Sequence, residues 1–134
     1  MFKYANISAG FLLLSTTVLS AEQTVEVMHF WTSGGEAAAL GTIRDEVEQR
    51  GVAWQDAPVA GGGGDAAKTV LQTRIAAGDP PAAMLMLGQN IIDWANEGIL
   101  GDVNSVADAE GWDDVLPLAV QAFSKIDGDY VAAP

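Results

Sequence analysis

The chain has 134 residues, 49% of them hydrophobic and 18% charged, a composition that suits one globular domain and excludes a disordered or collagen-like chain. With 18 acidic and 6 basic side chains the formal net charge is -12, which keeps a soluble protein dispersed, repels phosphate backbones and anionic lipid, and argues against nucleic acid as a partner. Cysteine is absent, so disulfides and thiolate metal sites are excluded and stability must come from packing.

The first twenty residues differ in character from the rest. Lys3 supplies a basic start, and the run from Ile7 to Leu19 is apolar, interrupted only by small residues. This is the pattern of a secretory signal peptide, with small side chains at Ser20 and Ala21 where cleavage occurs; cleavage after either residue fits. The run is short for a bilayer span, and no second apolar stretch follows it. Residues 1–21 are therefore expected to be the signal peptide and 22–134 the mature domain, delivered to a periplasm-like space.

Thr24 to Trp31, TVEVMHFW, is rich in β-branched and aromatic residues and reads as a strand. A turn through Thr32–Gly35 leads to a helix over Glu36 to Arg50, with Leu40, Ile43 and Val47 on one stripe and Gly51 as its terminating residue. Val52 to Val59 offers a second strand, at an edge or strand end because Pro58 cannot donate to a ladder. After Gly61–Gly64, Asp65 is the expected N-cap of a helix through Ala77, in which Ala67, Leu71 and Ile75 recur. Ala82 to Leu87 is apolar on both faces, as a central parallel strand is. A short helix around Ile91, Ile92 and Ala95 ends at Gly98. Leu100 to Gly111 reads as irregular, Trp112 to Ser124 as a fourth helix, and Asp127–Gly128 as a tight turn between short strands. Alternating strands and helices predict an α/β fold with a mostly parallel, doubly wound sheet.

Ligands of such sheets bind beyond the carboxyl ends of the strands, which singles out three loops: Thr32–Glu36, Gly61–Asp65 and Gly88–Asn90. Within and beside them, Trp31, Thr32, Ser33, Glu36, Gly63, Gly64, Asp65, Gly88 and Gln89 are the candidate ligand contacts. A sugar offers an apolar C–H face and a rim of hydroxyls, which an indole, two hydroxyls, freed backbone N–H groups and a carboxylate can match. The same residues also suit plain packing, with Trp31 in the core and Glu36 favoured at a helix N-terminus; pattern alone leaves both open. GGGGDAAKT from Gly61 to Thr69 resembles a phosphate-cradling loop, but Ala67 stands where that motif needs glycine before its lysine, and Asp65 is negative where phosphate would sit. His29 has no partner of known proximity and reads as a satisfied core residue. Glu36 with Asp65 or Asp93 could in principle form a glycosidase pair, but no spacing singles one out. No catalytic residue, metal ligand or cofactor is expected.

VEVMHFWTSGGEAAAL, VAGGGGDAA, IAAGDPPAA, IIDWANEG and DGDYVAAP, in that order, together resemble the glucose- and mannose-type solute-binding proteins of bacterial carbohydrate ABC importers. The resemblance covers nearly all of the mature chain. It implies the N-terminal lobe of a bilobal, maltose-binding-protein-like fold, in which a monosaccharide or short oligosaccharide is clasped between two α/β lobes and handed to membrane permease subunits. It also implies a monomer, with the aromatic at Trp31 stacking on the sugar and the carboxylate at Glu36 bonding its hydroxyls. Members of that family are longer, and Pro134 falls near the expected hinge crossover, so the chain reads as a truncated piece with impaired binding. Phe30 stands where relatives carry Tyr or Trp, and Leu87 where some carry Lys, which leaves the sugar open. The competing expectations are an exported carbohydrate-active enzyme or binding module, and a nucleotide-binding α/β protein.

Overall fold

The computed structural model describes residues 23–61 and 64–134; the signal peptide read over 1–21 lies outside the described residues, as does Gly63. β1 (Thr24–His29) is the central strand of a three-stranded parallel sheet. β2 (Ala53–Pro58) pairs with it from Thr24 opposite Ala53 to His29 opposite Pro58. β3 (Ala83–Met84) pairs on the other side, with Val27 opposite Ala83 and Met28 opposite Met84. Side chains alternate along a strand, so Glu26 and Met28 lie on one face of β1, and Val27 and His29 on the other.

β2 and β3 flank β1 on opposite sides, and right-handed crossovers then put the two connecting helices on opposite faces. α2 (Asp65–Ala76) lies on the Met28 face, where the Arg74 guanidinium donates to both carboxylate oxygens of Glu26 at 2.6 and 2.7 Å. α1 (Gly34–Gln49) lies on the His29 face, where Leu40 and His29 line a common cavity. The main core joins Met28, Leu71 of α2 and Trp94 of α3 (Gly88–Asn96), with Ile75, Met84 and Met86 packed around them. Met28 is 1% exposed, and truncating such a side chain to alanine costs about 2–5 kcal/mol. The alternating α/β fold with a parallel sheet thus agrees with the sequence pattern.

Several local expectations are corrected. α2 begins at Asp65 itself, and the N-cap position is taken by Gly64 in a left-handed conformation. Of the α1 stripe only Leu40 is buried, while Ile43 is 52% exposed. Among the described residues, the stretch from Ala82 to Leu87 is an outer strand rather than a central one, because only β1 pairs with it and just two of its residues form the strand.

Further along, α4 (Asn104–Ala109) occupies part of the stretch expected to be irregular, its buried Ala107 too small to register as an apolar stripe. The single helix expected over Trp112 to Ser124 is two, α5 (Trp112–Val115) and α6 (Leu118–Ser124). Pro117 lacks an N–H and forces the preceding Leu116 into extended backbone, which breaks the helix there. β4 (Lys125–Ile126) and β5 (Asp129–Tyr130) form an antiparallel hairpin. Its turn residues Asp127 and Gly128 both have positive φ, as a type I′ turn requires. The hairpin is fastened to α5: the Tyr130 hydroxyl donates to Asp113 at 3.0 Å, the Lys125 ammonium reaches Asp113 at 2.6 Å, and the Tyr130 ring meets Trp112 edge-on at 5.2 Å.

Candidate functional site

All three strands are parallel, so the loops after β1, β2 and β3 leave the same edge of the sheet. Phe30 and Trp31, which follow β1, take opposite sides of it. The Phe30 ring lies on the α2 and α3 side, where it shares a space of only about 10 Å³ with Gly64, Leu87, Asn90 and Trp94. The place where the strand order reverses, between β1 and β3, is therefore filled by protein. Trp31 lies on the α1 side, partly buried, and with Thr32 lines a cavity of about 310 Å³.

Two of the candidate glycines have internal reasons for their identity. A Cβ on Gly64, whose φ is +100°, would stand 3.0 Å from Cε1 of Phe30. A Cβ on Gly88 would stand 2.9 Å from Cδ1 of Phe123, so glycine there lets α3 approach α6. Ser33, Glu36, Asp65 and Gln89 are exposed. Glu36 sits in the first turn of α1 but is not among the residues around the Trp31 cavity. The Gln89 amide donates to Asp93 at 3.2 Å. Lys68, the cation of the phosphate-loop comparison, donates to Asn90 at 3.3 Å and lies 4.0 Å from Asp93. Its charge ties α2 to α3.

The most structured polar group near Trp31 lies beneath it, on the α1 face. One carboxylate oxygen of Asp56, Oδ1, accepts from His29 Nε2 at 3.0 Å and from Trp54 Nε1 at 3.1 Å. These bonds hold the Asp56 carboxyl below its ordinary range; the Trp54 indole contributes most, the His29 imidazole and the Arg44 charge add to it, and partial burial opposes them. His29 is 2% exposed, as expected of a core residue, yet only half satisfied: its Nδ1 has no partner among the described residues. Since a carboxylate only accepts, Nε2 carries the hydrogen, and in the neutral ring Nδ1 is an unused acceptor.

Arg44, Trp54 and Asp56 were missed by sequence reasoning. Their signal is the spacing of Trp54 and Asp56, two apart and hence on one face of β2. What the spacing does not give is the register that sets Asp56 opposite Val27, on the same face as His29.

No family model matches the chain. Among curated proteins, it is 54% identical over 123 residues to a probable sugar-binding periplasmic protein of Rhizobium meliloti (strain 1021), a match covering 92% of the chain and 30% of that protein. A probable sugar-binding periplasmic protein of Brucella suis is 52% identical over 113 residues, 84% of the chain and 27% of the relative. An uncharacterized ABC transporter extracellular-binding protein of Pyrococcus horikoshii is 38% identical over 69 residues, 50% of the chain and 16% of the relative. The chain thus spans under a third of the length of the curated relatives it matches.

Proposed function

We propose that this chain is the first part of the sugar-capturing component of a periplasmic ABC importer, a binding protein rather than an enzyme. The reading is supported by the names of the relatives and by one structural observation above the others: Trp31 and Thr32 lie at the carboxyl edge of a parallel sheet, on an open cavity. An indole face matches the C–H face of a pyranose, and the polar groups beside it match hydroxyls.

Residues 1–21 act as the export signal, and 22–134 form the N-terminal lobe. Glucose, mannose or a short oligosaccharide is the ligand; Trp31, Thr32, Ser33 and Glu36 contact it, with Gly63, Gly64, Asp65, Gly88 and Gln89 along the same edge. Sugar bridging two lobes stabilises the closed state, and permease subunits read that shape. The binding protein works as a monomer. One lobe supplies only part of the contacts, so the chain alone binds sugars weakly.

Isothermal titration of the purified chain with glucose, mannose and maltose tests this. The expected dissociation constants are on the order of 1 mM or weaker. Micromolar affinity overturns the two-lobed clasp, and a response to ATP in place of sugar overturns the sugar reading.

A further inference from the structure

We propose that the cavity on the α1 face of the sheet is itself a binding site for a single neutral polyhydroxylated ring, with Trp31 and Trp54 as its aromatic lining and Asp56 as its fixed acceptor. The inference rests on the sugar reading above. It adds to Trp31 and Thr32 a set of residues outside the carboxyl-edge loops, His29, Arg44, Trp54 and Asp56, all of them within this chain.

Four observations converge on it. The cavity measures about 310 Å³, near the lower end of the roughly 300–1,000 Å³ spanned by small-molecule sites, which suits one ring and not a chain of rings. Its polar groups are pre-set: the bonds from His29 and Trp54 both fall on Oδ1 of Asp56, so the carboxylate is oriented and, among the described residues, Oδ2 is left as an open acceptor. His29, which lines the cavity, is buried with Nδ1 unpartnered. Arg44 and Thr32 line the same space and bring donors.

A ligand for this set must donate to Asp56 Oδ2 and to His29 Nδ1, and accept from Arg44 and Thr32. Hydroxyl groups do both at once, and a ring of them has an apolar face for an indole. Arg44 is paired with Asp45 at 3.5 Å, so the Asp56 carboxylate leaves the cavity negative, and the chain as a whole carries -12; both disfavour an anionic ligand. A purely internal brace between β1 and β2 made by His29, Trp54 and Asp56 would leave sugar binding indifferent to Asp56.

The test is sugar titration of the whole chain, followed through the indole N–H signals of its four tryptophans by two-dimensional NMR. Trp94, 6% exposed in the core, serves as the internal control. The proposal predicts that glucose or mannose shifts the Trp31 and Trp54 signals and leaves Trp94 still. Asp56→Asn, which keeps the size of the side chain, weakens this by about tenfold or more, and Trp54→Phe and the exposed Arg44→Met each weaken it about threefold.

Glucuronate binds more weakly than glucose, and tighter binding of glucuronate contradicts the neutral-ring assignment. If sugars shift Trp31 but not Trp54, and all three variants bind like the parent, the site on the α1 face is overturned and the sugar reading stands. If no sugar shifts any signal, the site on the α1 face, which this chain would hold whole, is overturned.

Discussion

Gly64 shows how a single residue can look functional in the sequence and be explained by packing. It was a candidate ligand contact in the loop Gly61–Asp65; in the structure, the group that approaches it is the Phe30 ring, and φ is +100°. Both features penalise any side chain, so Gly64→Ala is expected to lose about 1–3 kcal/mol in urea unfolding. Gly35→Ala, whose added Cβ meets nothing within 4 Å, is expected to be close to neutral. Equal stability of the two variants would show that Phe30 yields freely. The place of Trp31 and Thr32 was legible because aromatic and hydroxyl residues follow β1 at its carboxyl end. Asp56 was not, because its meaning depends on a partner 27 residues away and on strand register, which local spacing does not encode.

The elements were read well where periodicity is strong and poorly where one residue decides. β1, α1, β2 and α2 were placed within a few residues. Pro117 was passed over inside an apolar stripe, and the two-residue β3 was over-extended because an apolar run does not reveal how many neighbours a strand has.

The tie between β1 and α2 carries a pH signature. Glu26 is held below its ordinary value of 4.5 chiefly by its hydrogen bonds with Arg74, with the guanidinium charge adding to them and desolvation opposing. A depressed carboxyl contributes stability that is present above the unfolded value and lost as pH falls through the folded one. Stability should therefore drop below about pH 4.5, and Asp56 and Asp113, lowered likewise, act in the same direction. In Glu26→Gln the deficit relative to the parent should be full at pH 6 and shrink towards pH 3, as read by thermal unfolding across that range. A deficit independent of pH would mean that the ion pair is not its source.

At the scale of the molecule, large apolar side chains lie exposed along α5 and α6: Leu118 is 81% exposed, Val115 67% and Phe123 42%. Large exposed apolar patches mark surfaces that bind other protein or aggregate. The chain is expected to enhance the fluorescence of anilinonaphthalene sulfonate, and Leu118→Ser with Val115→Ser to reduce that enhancement at least twofold without changing the far-UV spectrum. An unaltered signal would place the dye elsewhere.

The same molecule offers its most organised polar groups at the opposite face of the sheet, around Trp31, Asp56 and His29, and the sugar reading stands or falls with that indole. The direct measurement is the glucose and mannose response of intrinsic tryptophan fluorescence in the parent chain and in Trp31→Ala, each shown to be folded by far-UV circular dichroism. A saturable response in the parent that falls by about tenfold or more in the variant is the predicted result. An undiminished response in Trp31→Ala would contradict it.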